Sequence, residues 1–284
     1  MTRVAVVTIA HGRHDHLAAQ HRSLARGSRL PDDYVVVAMD DDAIVERREG
    51  ALTSRVVRTG RGAGNSLPLA TARNHGVSAA LAGGADVVVL LDVDCLAGVR
   101  LVAAYGDVVA SRPESIWSGP VTYLPEAPPE GYPEDPTDLA HWDDPHPARP
   151  RPLPGELAHS ADPDLFWSLS FAVHRDTWTR TGGFCEDYTG YGGEDTDFAR
   201  TAIAVGVDLG WVGSARAYHQ HHPVSSPPVE HLDDILRNGR LFHERWGEWP
   251  MRGWLEKFEE QGLVRRVGGH WVRTSTTTQE ERTA

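Results

Sequence analysis

The sequence predicts an α/β fold: an open, mostly parallel sheet with helices on both faces. Three observations carry this expectation. β-branched runs of strand length recur at residues 3–10, 34–39 and 86–94. Stretches with helical spacing separate them, and those stretches stop on glycines. Strands that alternate with helices through the first hundred residues are the pattern of βαβ units, whose crossovers bury a parallel sheet between helical layers.

The elements are taken in chain order. RVAVVTIA (3–10) and YVVVAM (34–39) read as buried parallel strands, each ending in polar residues. Between them, residues 11–27 place Leu17, Gln20, His21 and Leu24 at helical spacing and end on Gly27. SRVVRT (54–59) reads as a further strand, and RGAGNS (61–66) as a flexible loop. It lacks the G-K-[ST] of a phosphate loop, and its glycines do not fit the dinucleotide pattern. Pro68 opens a helix that carries Leu69, Ala72, Gly76, Val77, Ala80 and Leu81 on one face and stops at Gly83 and Gly84. DVVVLLDVD (86–94) is the strongest strand pattern in the chain.

Near residue 120 the style changes. Residues 124–163 hold 11 of the 19 prolines and show no sustained periodicity, which marks either a substrate-covering loop or a surface excursion. Tyr132, Trp142 and several histidines give that loop groups able to touch a ligand. Regular structure resumes at 166–184, followed by a helix after Gly193 and a strand and loop through LGWVGSARAYHQHH (209–222). Residues 229–246 align Leu232, Ile235, Leu236, Phe242 and Trp246 on one helical side. A short helix around 254–261 and a hairpin about Gly268 and Gly269 come next, and the tail 274–284 is expected to be disordered.

Composition narrows the function. The 284 residues are 40% hydrophobic, enough for a sizeable core. A formal charge of −12 with no basic block argues against nucleic acid or an anionic membrane surface as partner. Two distant cysteines, Cys95 and Cys185, match no metal spacing and read as reduced, buried thiols. The apolar start is too short for a signal segment or a membrane span, so the expectation is cytoplasmic.

Chemistry is expected where the strand 86–94 ends. Asp92 and Asp94 stand at the carboxyl edge of a buried strand, where open α/β sheets bind ligands, and i and i+2 in a strand share a side. Two carboxylates so close repel unless a cation lies between them, and hard oxygen ligands suit Mg²⁺ or Mn²⁺. YHQHHP (218–223) adds a histidine cluster: His219 and His221 share a side if the chain stays extended, with Gln220 and His222 opposite. A nitrogen ligand there favours Mn²⁺, and a solvated histidine turn is the plain alternative. Arg73, near a helix start, either holds phosphate or pairs on the surface. GGEDTDFAR (192–200) sets two glycines before Glu194, Asp195 and Asp197, an arrangement open to three readings: acidic helix start, metal loop, or catalytic base.

The segments VVVAMDDD, LPLATARNHG, LLDVDC, a later GGF, GGEDTDFAR and YHQHH occur in this order and spacing in family-two-like glycosyltransferases of the GT-A fold, a single Rossmann-like sheet flanked by helices. GGEDTD is similar to the carboxyl-terminal motif of β-1,4-galactosyltransferases and chondroitin-polymerase-type enzymes. The resemblance covers residues 3 to 222. It implies that Asp94 binds Mn²⁺ directly, that Asp92 holds the donor ribose or a metal-bound water, and that His219 is the other protein ligand. His221 and His222 stay open as replacements. It further implies that Asp40 contacts uracil beside Ala10, His11 and Arg13, and that Arg73 sits near the donor. Asp195 would be the base, Glu194 would orient the acceptor sugar, and Tyr191 with Gly192 and Gly193 would meet that sugar. Tyr191 stands where those galactosyltransferases carry tryptophan, and the Pro-rich segment has no counterpart.

The implied enzyme is an inverting, Mn²⁺-dependent glycosyltransferase (Mg²⁺ possible) moving galactose or a related hexose from a UDP-sugar to a carbohydrate acceptor hydroxyl. A metal-dependent nucleotidyltransferase and a non-catalytic nucleotide-sugar-binding protein are the alternatives. The expected organisation is a catalytic domain over 1–228, a helical extension with hairpin over 229–273, and a tail. Within the first, 1–120 is the nucleotide-sugar half, 121–165 the Pro-rich loop and 166–228 the acceptor half.

Overall fold

A computed structural model describes residues 2–62, 65–223 and 225–274. The expected tail from 275 onward lies outside the described residues, as do Ala63 and Gly64 of the glycine-rich loop. The chain divides into two compact units. The first contains residues up to 189 and 194–222; the second contains 190–193 and the residues from 223 onward. The dividing line therefore runs through the GGED motif.

The first unit begins with β1 (Val4–Ala10), α1 (His14–Ala25), β2 (Asp33–Met39), the short β3 (Arg48–Glu49), β4 (Leu52–Thr59), α2 (Leu69–Ala82) and β5 (Val87–Leu91). It continues through β6 (Cys95–Ala97), α3 (Leu101–Ser111), β7 (Ile116–Ser118), β8 (Val121–Tyr123), β9 (Leu157–Ser160), β10 (Ser170–His174), α4 (Arg175–Thr181), α5 (Glu194–Ala204), β11 (Leu209–Val212) and β12 (Ala217–His219). Among the described residues the main sheet has the order β3-β4-β2-β1-β5-β10-β7-β11-β9. Its amino-terminal half, β4-β2-β1-β5, is parallel as expected, and β10 then runs antiparallel to β5.

The period-2 alternation of a strand sends successive side chains to opposite faces, and β1 shows the consequence. Val4 and Val6 join one buried cluster with Leu24 and Tyr105, while Ala5, Val7 and Ile9 join another with Val77 and Phe198. Helices α1 and α3 contribute to the first cluster; α2 and α5 contribute to the second. Gly76 shows how tightly α2 lies on the sheet: a Cβ there would sit 2.4 Å from Val7 Cγ1 and 2.8 Å from Val37 Cγ2.

Two expectations change. The strand expected over 86–94 stops at Leu91, and Asp92–Asp94 turn away, with the Cys95 amide donating to the Asp92 carbonyl at 2.9 Å. The Pro-rich segment, though aperiodic, is packed. It contributes β9, paired with β11, and a 3₁₀ turn over Asp138–Trp142, and it buries Leu124 and Leu139 against Leu96 and Tyr218. Isolated apolar anchors replace the periodic stripe that a helix or strand would show. Cys95 is buried and Cys185 half-buried, and both are free thiols.

The second unit contains α6 (Leu232–Trp246), α7 (Arg252–Glu260) and the hairpin β13 (Val264–Val267) with β14 (His270–Arg273), which turns at Gly268 and Gly269 as expected. Its core is Leu232, Ile235, Trp249, Leu255, Phe258, Val264 and Trp271. Among the described residues no helix is long and apolar enough to cross a membrane.

Candidate active site

Parallel strands deliver their following loops to one edge of a sheet, so the segments after β1, β2 and β5 gather at the carboxyl edge of the first unit. After β1 the chain turns through Gly12 and Arg13, both at positive φ, which brings His11 and Arg13 back over the edge. Ala10 ends β1 beside Ala38. The His11 ring holds the Met39 carbonyl at 2.7 Å, and the Gly12 amide donates to Asp41 at 2.8 Å. Asp40, itself at positive φ, accepts from Arg61 at 2.6 Å, and Arg61 also reaches His11 at 3.2 Å. Asp40 and His11 thus come together through Arg61 at this edge, while the charge of Arg13 acts on Asp94 and His219. Arg61 and Asp41, which hold the group in place, were not singled out in the sequence because nothing in their neighbours' spacing marks them.

The turn after β5 separates the two aspartates by partner. Asp94 Oδ2 lies 3.4 Å from His219 Nε2 and 3.4 Å from His222 Nε2. One ligand atom from each of these three residues fits within 4.8 Å. His219 arrives there because β12 lies between β6 and β8, pairing His219 with both Cys95 and Tyr123. The extended chain stops at His219, so strand alternation does not govern the next three residues: His222 returns to Asp94, while the His221 amide donates to the Tyr132 hydroxyl at 3.0 Å. Gln220 is buried, its amide donating to the Asp94 carbonyl at 2.7 Å and its side chain to the His16 carbonyl at 3.2 Å.

Burial alone would raise the Asp94 carboxyl, but His222 and His219 outweigh it and hold the group below the usual carboxylate range. Burial lowers His219, with Asp94 opposing, so its imidazole is the neutral, ligating form. The second Asp94 oxygen, Oδ1, is buried without a hydrogen-bond partner among the described residues. One carboxylate with a spare buried oxygen and two imidazoles form a donor set that fits Mn²⁺.

Asp92 faces the other way. Its Oδ1 lies 3.4 Å from Arg73, whose other terminal nitrogen reaches Glu194 at 3.0 Å. Arg73 is buried beneath the Phe184 ring and engages both carboxylates rather than solvent. Burial pushes Asp92 up to about 6, with Arg73 pulling it back and Asp94 adding to the rise. Arg73 therefore ties the turn that carries Asp94 to the amino terminus of α5.

Helix α5 begins at Glu194, so the first-turn carboxylates lie in the positive field of the helix start. The three have different surroundings. Glu194 is buried against Arg73, with its second oxygen unpartnered among the described residues. Asp197 is buried and accepts from the Tyr188 hydroxyl at 3.2 Å. Asp195 is half-buried, and burial and Glu194 push its carboxyl up to about 7 against the pull of Arg73. A carboxyl held near neutrality is suited to accept a proton during a reaction.

In the second unit, Tyr191 stacks on His231 at 4.5 Å between ring centroids and on Trp254 at 5.9 Å. The buried Asn238 of α6 donates to the carbonyls of Tyr191 and Gly192 at 3.2 and 2.9 Å, fixing the loop. Gly192 and Gly193 both have φ near +90°, at 96° and 91°, a region closed to other residues without strain.

Residues 163–223 match a family model described as the N-terminal domain of galactosyltransferase, a stretch that includes Glu194, Asp195, His219 and His222. Among solved structures, the chain resembles GalNAc-T7 crystallised with UDP, GalNAc and Mn²⁺, with a TM-score of 0.58 and 17% identity, covering 93% of this chain and 52% of that one. It also resembles residues 1–349 of TarS from S. aureus, with a TM-score of 0.56 and 12% identity, covering 92% of this chain and 71% of that one. The chain spans about half the length of the GalNAc-T7 structure it matches. No curated protein sequence matches it. Both structural neighbours are GT-A glycosyltransferases, and the fold of this chain is the GT-A fold.

Proposed function

We propose that the chain is an inverting, metal-dependent glycosyltransferase that moves a hexose, galactose or a related sugar, from a UDP-sugar to an acceptor hydroxyl. The observation that carries this reading is the convergence of Asp94, His219 and His222 at the carboxyl edge of a GT-A sheet. The solved GalNAc-T7 complex with UDP and Mn²⁺ has the same fold. Mn²⁺ held by these three side chains would neutralise the charge that develops on a departing diphosphate.

The other residues divide the work. Asp40, with Ala10, His11 and Arg13, binds the nucleoside, and Asp92 holds the ribose or a metal-bound water. Arg73 stands near the donor and keeps Asp92 and Glu194 in register. Asp195 removes the proton from the acceptor hydroxyl, Glu194 orients that sugar, Tyr191 offers it a stacking ring, and Gly192 and Gly193 let the backbone come close to it. A single base accepting one proton, with attack from the opposite face, inverts the anomeric centre.

Product analysis tests the proposal. Incubation with UDP-galactose, UDP-glucose and their N-acetyl forms, with Mn²⁺ and an oligosaccharide panel, should release UDP. Release of pyrophosphate from a nucleoside triphosphate and a sugar phosphate would instead support nucleotidyl transfer. Tight UDP-sugar binding with neither product over the panel would support a non-catalytic binder.

A further inference from the structure

The Pro-rich segment delivers a buried cation to the candidate site. Arg149 is 6% exposed, and all three of its guanidinium nitrogens are buried without a hydrogen-bond acceptor among the described residues. The guanidinium lies over the Trp167 ring, 5.2 Å from its centroid. A buried guanidinium with five donors and no acceptor is far from its lowest free energy, unless the site exists to receive an anion.

Its setting is built. The His146 amide donates to the Val121 carbonyl at 3.0 Å, the Asp144 amide to Thr122 Oγ1 at 3.0 Å, and Pro145 bridges to Thr122. The Arg149 amide then donates to the His146 carbonyl at 3.3 Å, so the turn that presents Arg149 is pinned along β8. A row of rings runs from there to the metal-ligand candidates: Trp167 to His146 at 5.0 Å, His146 to Tyr123 at 5.6 Å, and Tyr123 stacked on His219 at 4.6 Å. Asp195 is among the charges that act on Arg149. The row of rings thus joins the turn that carries Arg149 to the Asp94 cluster.

We propose that Arg149 is an anion-binding residue of the substrate site, its guanidinium fork receiving an oxyanion of the nucleotide sugar while the Trp167 ring backs the guanidinium plane. This deepens, and rests on, the reading of the site as one for a UDP-sugar. The oxyanion has two sources, the diphosphate or a carboxylate on the sugar ring, and a planar fork recognises both by the same two-point contact.

Titration calorimetry with Mn²⁺ and three probes, UDP, UDP-glucose and UDP-glucuronic acid, tests the proposal on the wild type and Arg149→Met. The variant should lose at least about tenfold in affinity, the scale of one hydrogen bond to a charged group. An equal loss for all three probes assigns the contact to the diphosphate, and a loss confined to UDP-glucuronic acid assigns it to the sugar carboxylate. Thermal unfolding without ligand supplies a readout that a structural arginine would move in the opposite sense: Arg149→Met should melt at or above the wild type. Unchanged affinity for every probe overturns the proposal and leaves the UDP-sugar reading intact. Should the methionine variant not fold, Arg149→Lys, which keeps the charge and loses the fork, carries the same arms. If the wild type binds none of the nucleotides, the UDP reading fails by itself. Pyrophosphate and glucuronate then replace the probes: binding that is lost in the variant sustains the Arg149 site, and no binding to the wild type overturns it too.

Discussion

His222 holds its Nε2 3.4 Å from Asp94 Oδ2, the oxygen that His219 faces at the same distance from the end of β12. Two imidazoles on one carboxylate oxygen are a poor arrangement for mutual hydrogen bonding and a good one for a shared cation. His222→Ala and His219→Ala should each weaken Mn²⁺ binding by about tenfold or more, a loss that even outer partners of ligands can produce. His221→Ala should leave it unchanged. Calorimetric Mn²⁺ titration in the presence of UDP checks this, and an effect of His221 equal to that of His222 would contradict the assignment.

Arg73 and Glu194 are both buried, 3.0 Å apart. Removing one partner of such a pair leaves an uncompensated buried charge, a loss of about 3–5 kcal/mol. Arg73→Met should lower the melting temperature accordingly, and adding Glu194→Gln should restore part of the loss. Additive effects in the double variant would show that the two residues do not depend on one another.

Asp195 is held up to about 7, so at pH 5 it is protonated and unable to act as a base. The turnover rate should rise as pH climbs through about 7 and level off above it. The stability sign is opposite. A carboxyl raised on folding stabilises the fold below the usual carboxylate range, and that contribution is lost as pH rises through the folded value. Asp195→Asn should therefore melt above the wild type by the most at pH 8, with the gap shrinking steadily as pH falls through 7 towards 4, as scanning fluorimetry across that range will reveal.

Gly76 faces Val7 and Val37 with no room for a Cβ. Gly76→Ala forces α2 away from β1 and β2, and overpacking of this kind costs about 1–3 kcal/mol. Urea unfolding should show a lower midpoint with an unchanged slope. A neutral result would mean that the helix can shift freely on the sheet.

Much of this architecture is legible in the sequence because the parallel strands β1, β2 and β5 are buried on both faces and so appear as unbroken β-branched runs. The helices between them are legible through spacing and terminal glycines. Asp94 stands out because it follows closely on the clearest of these runs, and His219 because it ends a short strand. His222 does not, since the extended chain ends at His219 and periodicity carries no information past that point. The pairing of Arg73 with Glu194 joins residues 121 positions apart, a relation no local pattern encodes. Arg149 is hidden more completely: it lies in an aperiodic, proline-rich stretch held by scattered anchors such as Leu124 and Leu139, and its environment is made by residues from β8 and the segment before β10. The motif GGEDTD shows a different limit. Its carboxylates look equivalent in sequence, yet Glu194 is occupied by Arg73 and Asp197 by Tyr188, while burial and Glu194 push Asp195 up to about 7.

In the proposed function, Asp195 and the Asp94 cluster act in one transfer reaction, one as base and the other as metal site. The most direct test measures Mn²⁺-dependent UDP release from UDP-hexoses, with a responsive acceptor, in the wild type, Asp94→Ala and Asp195→Asn, alongside calorimetric binding of UDP with Mn²⁺. Release is expected from the wild type alone, with Asp195→Asn still binding UDP and Mn²⁺ as the wild type does and Asp94→Ala binding neither well. Undiminished release by Asp195→Asn, or Mn²⁺-dependent release by Asp94→Ala at the wild-type rate, would contradict it.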